Sequence, residues 1–214
     1  MSDRKRLYKI ALWLAIITIA YNVVEGLISI FYGINDETLS LLGFGVDSLV
    51  EVISGAGILH LVIKLRKTGD ESSDVFERMA LRITGSAFML LTAGLLFGSV
   101  INLVWNISPS TTIPGVVISV ISILTMYFLM KYKLAIGRKL NSEAIIADAY
   151  CTKTCFYLSI ILLLSSVLYE LFRISYIDIA GSLGIAYFAF REGLESFQKA
   201  NGKKSCSCSE PDHN

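Results

Sequence analysis

The sequence predicts an all-α membrane protein with six transmembrane helices and both termini in the cytoplasm. Of its 214 residues, 54% are hydrophobic and only 17% are charged, whereas a soluble domain averages about 25% charged residues. The charges are also unevenly distributed, because they lie between apolar runs that approach or exceed the roughly 20 residues needed to cross a bilayer. Connections rich in Lys and Arg alternate with connections poor in them, and this alternation predicts the orientation.

Six apolar runs define the predicted helices. In chain order they cover residues 8–33, 39–63, 78–107, 113–131, 143–172 and 177–197. The first run is too long for the core of a signal peptide and has no small-residue cleavage site after a short core, so we interpret it as a spanning helix. We expect a six-helix membrane domain over residues 1–200, a flexible cytoplasmic tail over 201–214, and no soluble domain after the last helix.

The connections carry the orientation signal. The N-terminus, the second and fourth connections and the C-terminus are rich in Lys and Arg, whereas the first connection reads "INDETLS", the third reads "SPSTT", and the fifth has only Arg173. Since cytoplasmic connections hold the excess of basic residues, both termini are predicted to be cytoplasmic. In that reducing compartment we do not expect a structural disulfide between Cys206 and Cys208.

Two acids lie within the second predicted helix, in the stretch "GFGVDSLVEVISG". Asp47 and Glu51 are four residues apart, so they share one helix face. An ionisable side chain inside a bilayer costs about 2.5–3.5 kcal/mol on insertion scales, and each one therefore suggests a function. His60 falls on the opposite side near the cytoplasmic end, where we interpret it as an interfacial residue.

The fifth and first predicted helices also carry polar stripes. One stripe of the fifth helix consists of Asp148, Cys151, Thr152, Cys155 and Ser159, and one stripe of the first consists of Thr18, Asn22, Glu25 and Ser29. We therefore expect helices one, two and five to line a pathway and helices three and four to act as scaffold or to face lipid. Asn22 and Glu25 either line that pathway or hydrogen-bond between helices. Asp148 either lies at the mouth of the pathway or has a capping or surface role.

The two pairs of ionisable residues are predicted to lie at similar depth. With 1.5 Å of rise per residue and antiparallel helices, Asp47 comes out level with Cys155, and Glu51 level with Cys151. Two carboxylates and two thiolates around one point suit a tetrahedral ion such as Zn²⁺ or the softer Cd²⁺. Two alternatives stay open: both cysteines only fill space, or one thiol binds and Asp148 or water completes the shell.

The tail "KKSCSCSEPDHN" is a second candidate for metal capture. It holds Cys206, Cys208 and His213, all of them ligand types for zinc. The C-x-C spacing lacks a second paired motif, so an inert tail is the alternative.

The motifs "VDSLVE" and "ADAYCTKTC" resemble those of the cation diffusion facilitator family, also called the cation efflux family. Its second helix carries D-x-x-x-D or H-x-x-x-D, which corresponds to Asp47 and Glu51 here. Its fifth helix carries H-x-x-x-D after "ADA", so Cys151 stands at the His position and Cys155 at the Asp position. The stretch "IDIAGSLG" is similar to the start of the family's sixth helix. The resemblance covers the transmembrane domain of a short form without the family's cytoplasmic C-terminal domain.

The resemblance implies a multi-pass secondary transporter, in the cell membrane if the source is prokaryotic, that exports a divalent metal by proton antiport. It also implies a homodimer whose partners are the metal ion, protons and the lipid bilayer. Because Cys replaces both fifth-helix ligands, we expect Zn²⁺ or Cd²⁺ as cargo rather than a harder ion. Carboxylates and thiols must lose protons to bind metal, which links metal and proton binding.

Other function classes lack support in the sequence. No nucleotide-binding loop or nucleophile triad is present, so we expect neither an enzyme nor a cofactor, and a net charge of +1 without a basic aromatic patch does not suggest nucleic-acid binding. The alternatives are a membrane metal-binding protein that does not transport and a thiol redox sensor. The second is disfavoured because C-x-x-x-C is not the C-x-x-C motif of thiol oxidoreductases, and redox chemistry gives no role to Asp47 and Glu51.

Overall fold

The computed structural model describes residues 2–68 and 75–201, which form six α-helices and, within these ranges, no strand. The helices are α1 Ser2–Asn35, α2 Leu39–Thr68, α3 Val75–Trp105, α4 Ile113–Leu140, α5 Glu143–Phe172 and α6 Ser175–Ala200. The predicted all-α class is confirmed. The tail residues Cys206, Cys208 and His213 lie outside the described residues, so tail metal capture stays a prediction.

Helices α1 to α5 each contain a stretch of 19 to 30 residues that is long and apolar enough to cross a membrane. Helix α6 is less apolar, because it carries acidic and basic residues along its length, but it packs extensively against α3. A lipid environment also explains the many large apolar side chains that are exposed, such as Leu90 and Trp105. These features describe a multi-pass integral membrane protein, while the orientation of its termini stays a prediction.

The helices pack as three main pairs. Helices α1 and α2 form one hairpin, α4 and α5 form another, and α3 pairs with α6. Helix α2 also contacts α3, α5 and α6, which puts the predicted acid pair on the most widely packed helix of the bundle. The central apolar core joins α2, α3, α5 and α6 and includes Phe44, Leu95, Leu158 and Ile185.

Glycines allow α1 and α2 to approach closely. A Cβ added to Gly33 would lie 2.6 Å from the backbone nitrogen of Leu42, and one added to Gly45 would lie 2.8 Å from the backbone nitrogen of Ile30. Real Cβ atoms do not tolerate such distances to backbone. The hairpin therefore brings the polar stripe of α1 directly against α2.

Carboxylates from distant helices satisfy two helix N-termini. Asp178 at the start of α6 accepts hydrogen bonds from the backbone N–H groups of Leu39 (2.9 Å) and Ser40 (3.2 Å) at the start of α2, and it also bonds the Ser40 hydroxyl. Glu170 near the end of α5 accepts a hydrogen bond from the backbone N–H of Thr112, which precedes α4 (2.5 Å). The first N–H groups of a helix lack partners within it, so these acids stabilise both starts.

Helix α4 is longer than the sequence predicts. It continues to Leu140 rather than stopping near residue 131, and Asn141 ends it in the left-handed conformation at φ 53°. Lys133 follows the predicted helix end at residue 131, which places it in the predicted fourth connection. That prediction is wrong, since Lys133 lies inside α4 and is almost fully buried.

Candidate metal-transport site

Glu51 is the centre of the best-defined polar cluster between α1, α2 and α5. The thiol of Cys155 on α5 donates to the Glu51 carboxylate, with Sγ 2.6 Å from Oε1 and 2.8 Å from Oε2. From α1, Asn22 Nδ2 donates to Glu51 Oε2 at 3.0 Å. Three helices that the sequence predicts to line the pathway thus meet at one carboxylate.

The sequence predicts that Glu51 lies level with Cys151. In the structure Glu51 instead contacts Cys155, which is one helical turn further along α5. The physical reason is the direction of the side chains, because Cβ atoms lean toward the N-terminus of their helix. In antiparallel helices these leans oppose each other, so Glu51 reaches along α2 toward its start while Cys155 reaches the other way. Residues offset by one turn along the backbone can therefore make contact.

Asp47 is buried one turn from Glu51, with 2% of its surface exposed. Its Oδ1 atom is buried and has no hydrogen-bond partner among the described residues, and the same is true of Asn22 Oδ1. Buried oxygens without partners are uncommon in native proteins. Both atoms are therefore free to accept a further ligand.

Cys151 and Cys155 are both free thiols, but their environments differ. Cys155 is buried, and its backbone carbonyl accepts a hydrogen bond from Ser159, whereas Cys151 is partly exposed. Among the described residues, no group of three or more His, Cys, Asp or Glu side chains is close enough to hold a metal ion. Asp47, Glu51, Cys151 and Cys155 therefore lie on facing helices without forming a closed cage.

Glu25 belongs to a separate polar cluster on the same side of α2. Its Oε1 accepts a hydrogen bond from the Tyr21 hydroxyl at 2.8 Å, and its Oε2 accepts one from the Ser48 hydroxyl at 3.2 Å. The bond to Ser48 joins α1 to α2. Both α1 residues singled out in the sequence, Asn22 and Glu25, thus make interhelical hydrogen bonds, and a role in the pathway stays a prediction.

Asp148 makes a buried ion pair that the sequence does not predict. Its Oδ2 atom lies 2.9 Å from Nζ of Lys133, and the same ammonium donates to the Thr152 hydroxyl at 3.0 Å. Asp148 is therefore not a simple surface carboxylate. Sequence reasoning missed Lys133 because it was assigned to a loop.

Glu192 on α6 is a further residue near the site that was not predicted from the sequence. It accepts a hydrogen bond from the Thr154 hydroxyl on α5 at 2.9 Å. Thr154 directly precedes Cys155, so this contact lies one residue from a candidate ligand. Its position three residues after the buried Ala189 and four before the buried Ser196 is a helical-face spacing that could have identified it.

Comparisons with known proteins show the family of this chain. Residues 15–201 match the family model described as the cation efflux transmembrane domain. A protein of Methanocaldococcus jannaschii, named as an uncharacterized transporter, is 30% identical over 197 residues, which cover 88% of this chain and 69% of that protein. The matched region runs from within α1 to the end of α6 and contains both helices that carry the predicted ligands.

Proposed function

Because this chain belongs to the cation efflux family, we propose that it exports Zn²⁺ or Cd²⁺ across the membrane in exchange for protons. Family membership supports a membrane cation transporter, which is a class of protein distinct from enzymes. The proposed ligands are Asp47, Glu51, Cys151 and Cys155. The observation that carries the proposal is the contact of the Cys155 thiol with Glu51, which joins α5 to α2 at one buried point.

The donor atoms of this contact favour a borderline or soft cation. A thiolate and a carboxylate on adjacent helices are both zinc ligands, and thiolate favours softer ions over Mg²⁺ or Mn²⁺. Asp47 Oδ1, one turn away on the same helix face, is a buried oxygen without a hydrogen-bond partner in the part of the chain that the structure describes. Movement of Asp47 and Cys151 toward Glu51 and Cys155 would be needed to complete a four-ligand shell, because no three of these side chains are grouped closely enough among the described residues.

The same contact supports proton coupling. The Cys155 thiol carries a proton and donates a hydrogen bond to Glu51. Sγ must lose that proton before it can bind a metal ion. Metal and protons therefore compete for the same atoms. In the proposed cycle, metal binding releases protons on one side, and protons from the other side displace the metal after the helices reorient.

Metal flux into proteoliposomes with an imposed pH gradient tests this function. Zn²⁺, Cd²⁺, Co²⁺ and Mn²⁺ would be compared for the wild type, Glu51→Gln and Cys155→Ser. We expect gradient-driven Zn²⁺ or Cd²⁺ flux that falls at least about tenfold in both variants, because even changes around a metal ligand commonly cost 10–100-fold in affinity or activity. Glu37→Gln is the matched control, since Glu37 is an exposed acid in the α1–α2 connection.

The outcomes separate the competing functions. Flux that is lost with Glu51→Gln but retained with Cys155→Ser would keep the transporter and remove the thiol from the site. Metal binding without flux of any of the four ions would instead support a metal-binding protein that does not transport. Flux that ignores the pH gradient would contradict antiport.

We further propose that the transporter acts as a homodimer, as the family resemblance implies. Its many exposed apolar side chains would suit contact with a second copy as well as with lipid. Crosslinking in native membranes, followed by the mass of the purified protein with detergent subtracted, tests this proposal. A single-chain mass under both conditions would contradict it.

A further inference from the structure

Lys133 is an unusual residue for the interior of a helical membrane protein. Its side chain is 2% exposed, and it is among the largest fully buried side chains in the part of the chain that the structure describes. A buried ammonium is costly unless it is paired and hydrogen-bonded. Lys133 meets that condition through Asp148 Oδ2 at 2.9 Å and Thr152 Oγ1 at 3.0 Å, both on α5.

The pair lies next to the candidate metal site. Asp148 is three residues before Cys151, and Thr152 lies between Cys151 and Cys155 on the same stripe of α5. The ammonium is therefore a cation held against the stretch of α5 that also carries Cys151 and Cys155.

The two partners of the ion pair differ in access. The Asp148 side chain is 13% exposed, whereas the Lys133 side chain is 2% exposed. Both side chains are largely buried, and the carboxylate is the more accessible of the two. An ion reaching Asp148 from outside the bundle would meet the carboxylate first and could displace the ammonium, which is carried on a flexible four-carbon chain.

We propose that Lys133 is a tethered competitor cation, which occupies Asp148 in the metal-free protein and yields it to a divalent cation that moves toward Glu51 and Cys155. This inference rests on the proposed transport function for its role, but the competition at Asp148 can be measured without transport. Asp148 becomes a transient binding point, and Lys133 keeps that point from retaining metal. Thr152 positions the ammonium, since its hydroxyl is fixed by a hydrogen bond to the Asp148 backbone carbonyl at 3.1 Å.

The decisive experiment measures cation binding in a variant that lacks Glu51 and Cys155, the contacting residues of the candidate metal site, which we call the central site. Mn²⁺ is the probe, because an oxygen site of Asp148 and Thr152 suits a hard cation. Equilibrium dialysis of purified protein would compare the double variant Glu51→Gln, Cys155→Ser with the same protein carrying Lys133→Gln in addition. We expect the added change to raise Mn²⁺ affinity at least tenfold, and a further Asp148→Asn to abolish the gain.

This binding test is independent of the proposed function, because neither Glu51 nor Cys155 is intact in it. Equal Mn²⁺ binding with and without Lys133 would overturn the inference, and so would a gain that survives Asp148→Asn. In the protein with an intact central site, Mn²⁺ should raise the melting temperature of Lys133→Gln but not that of Lys133→Gln, Asp148→Asn.

A second variant keeps the inference testable if Lys133→Gln does not fold. Lys133→Arg retains the positive charge, and its guanidinium can bind a carboxylate through two parallel hydrogen bonds. We expect Lys133→Arg to hold Asp148 more tightly, so that Zn²⁺ flux falls at least tenfold while equilibrium Zn²⁺ binding at the central site is unchanged. Wild-type flux in Lys133→Arg would overturn the competitor role. Absence of flux in the wild type as well would instead reject the proposed transport function.

Discussion

The hydrogen bonds of Asp178 predict that a single isosteric change, Asp178→Asn, destabilises the whole bundle. The carboxylate is 1% exposed and accepts two backbone N–H groups at the start of α2, one on each oxygen. An asparagine has only one acceptor oxygen, so either orientation of its amide turns an N–H donor against the N–H of Leu39 or Ser40. At least one buried backbone donor therefore loses its partner.

The cost follows from two contributions. An unsatisfied buried donor costs about 1–3 kcal/mol, and removal of negative charge at a helix N-terminus adds about 0.3–1 kcal/mol. For a loss near 3 kcal/mol, a chain of this size should lose roughly 6–12 °C in melting temperature. Thermal unfolding in detergent, followed by tryptophan fluorescence, measures the shift.

The matched control for Asp178→Asn is Glu37→Gln, which removes an exposed acid from the α1–α2 connection. Surface changes of this kind usually stay within about 0.5 kcal/mol. If Asp178→Asn melts within 1–2 °C of this control, as estimated from about 2–4 °C per kcal/mol, the capping argument is wrong. A destabilised Asp178→Asn with an unchanged Glu37→Gln would support it.

Two further predictions concern helix contacts and a second capping acid. Gly33→Ala should lower the melting temperature by several degrees, because the added Cβ would lie 2.6 Å from the backbone of α2. Gly94→Ala is the control and should be neutral or slightly stabilising, because the added Cβ would meet no described atom within 4 Å. Equal effects of the two changes in the same thermal assay would contradict the close approach of α1 and α2. Glu170→Gln should cost only about 0.5–1.5 kcal/mol, since the amide oxygen can take the place of Oε1 and still accept from Thr112, and only the ion pair of Oε2 with the exposed Arg173 is lost. A loss larger than that of Asp178→Asn would refute this ranking.

The sequence predicts the helices well because apolar length and charge placement are local signals. The end of α4 is the exception, since the polar stretch "KYKLAIGRKL" lowers the local hydropathy and ends the apolar run. A buried stripe nevertheless continues through it at spacings of three and four. That stripe consists of Ser119, Ser122, Met126, Leu129, Lys133, Ile136 and Leu140. Helical spacing therefore locates Lys133 on the buried face, whereas a search for apolar length excludes it.

The capping acids show what sequence cannot supply. Asp178 stabilises a helix that begins 139 residues earlier, and its partners are backbone N–H groups that every non-proline residue carries. No pattern of side chains marks such a contact in advance. It requires the fold to bring the starts of α2 and α6 together, so only tertiary structure reveals it.

The candidate site could be predicted from the sequence only in part. Asp47, Glu51, Cys151 and Cys155 are identified by their helical spacing, because charged or reactive groups four residues apart share a face in any helix. Which of them touch depends on side-chain direction and helix packing, and the structure selects Glu51 with Cys155. Asp47 Oδ1 is buried and has no hydrogen-bond partner within residues 2–68 and 75–201, whereas Asp148 is already neutralised by Lys133. The metal-free site therefore has an unused acceptor near Glu51 and a bound ammonium at Asp148. A divalent ion that enters past Asp148 would therefore exchange a single carboxylate, for which Lys133 competes, for a site with more ligands, and this difference favours movement toward Glu51.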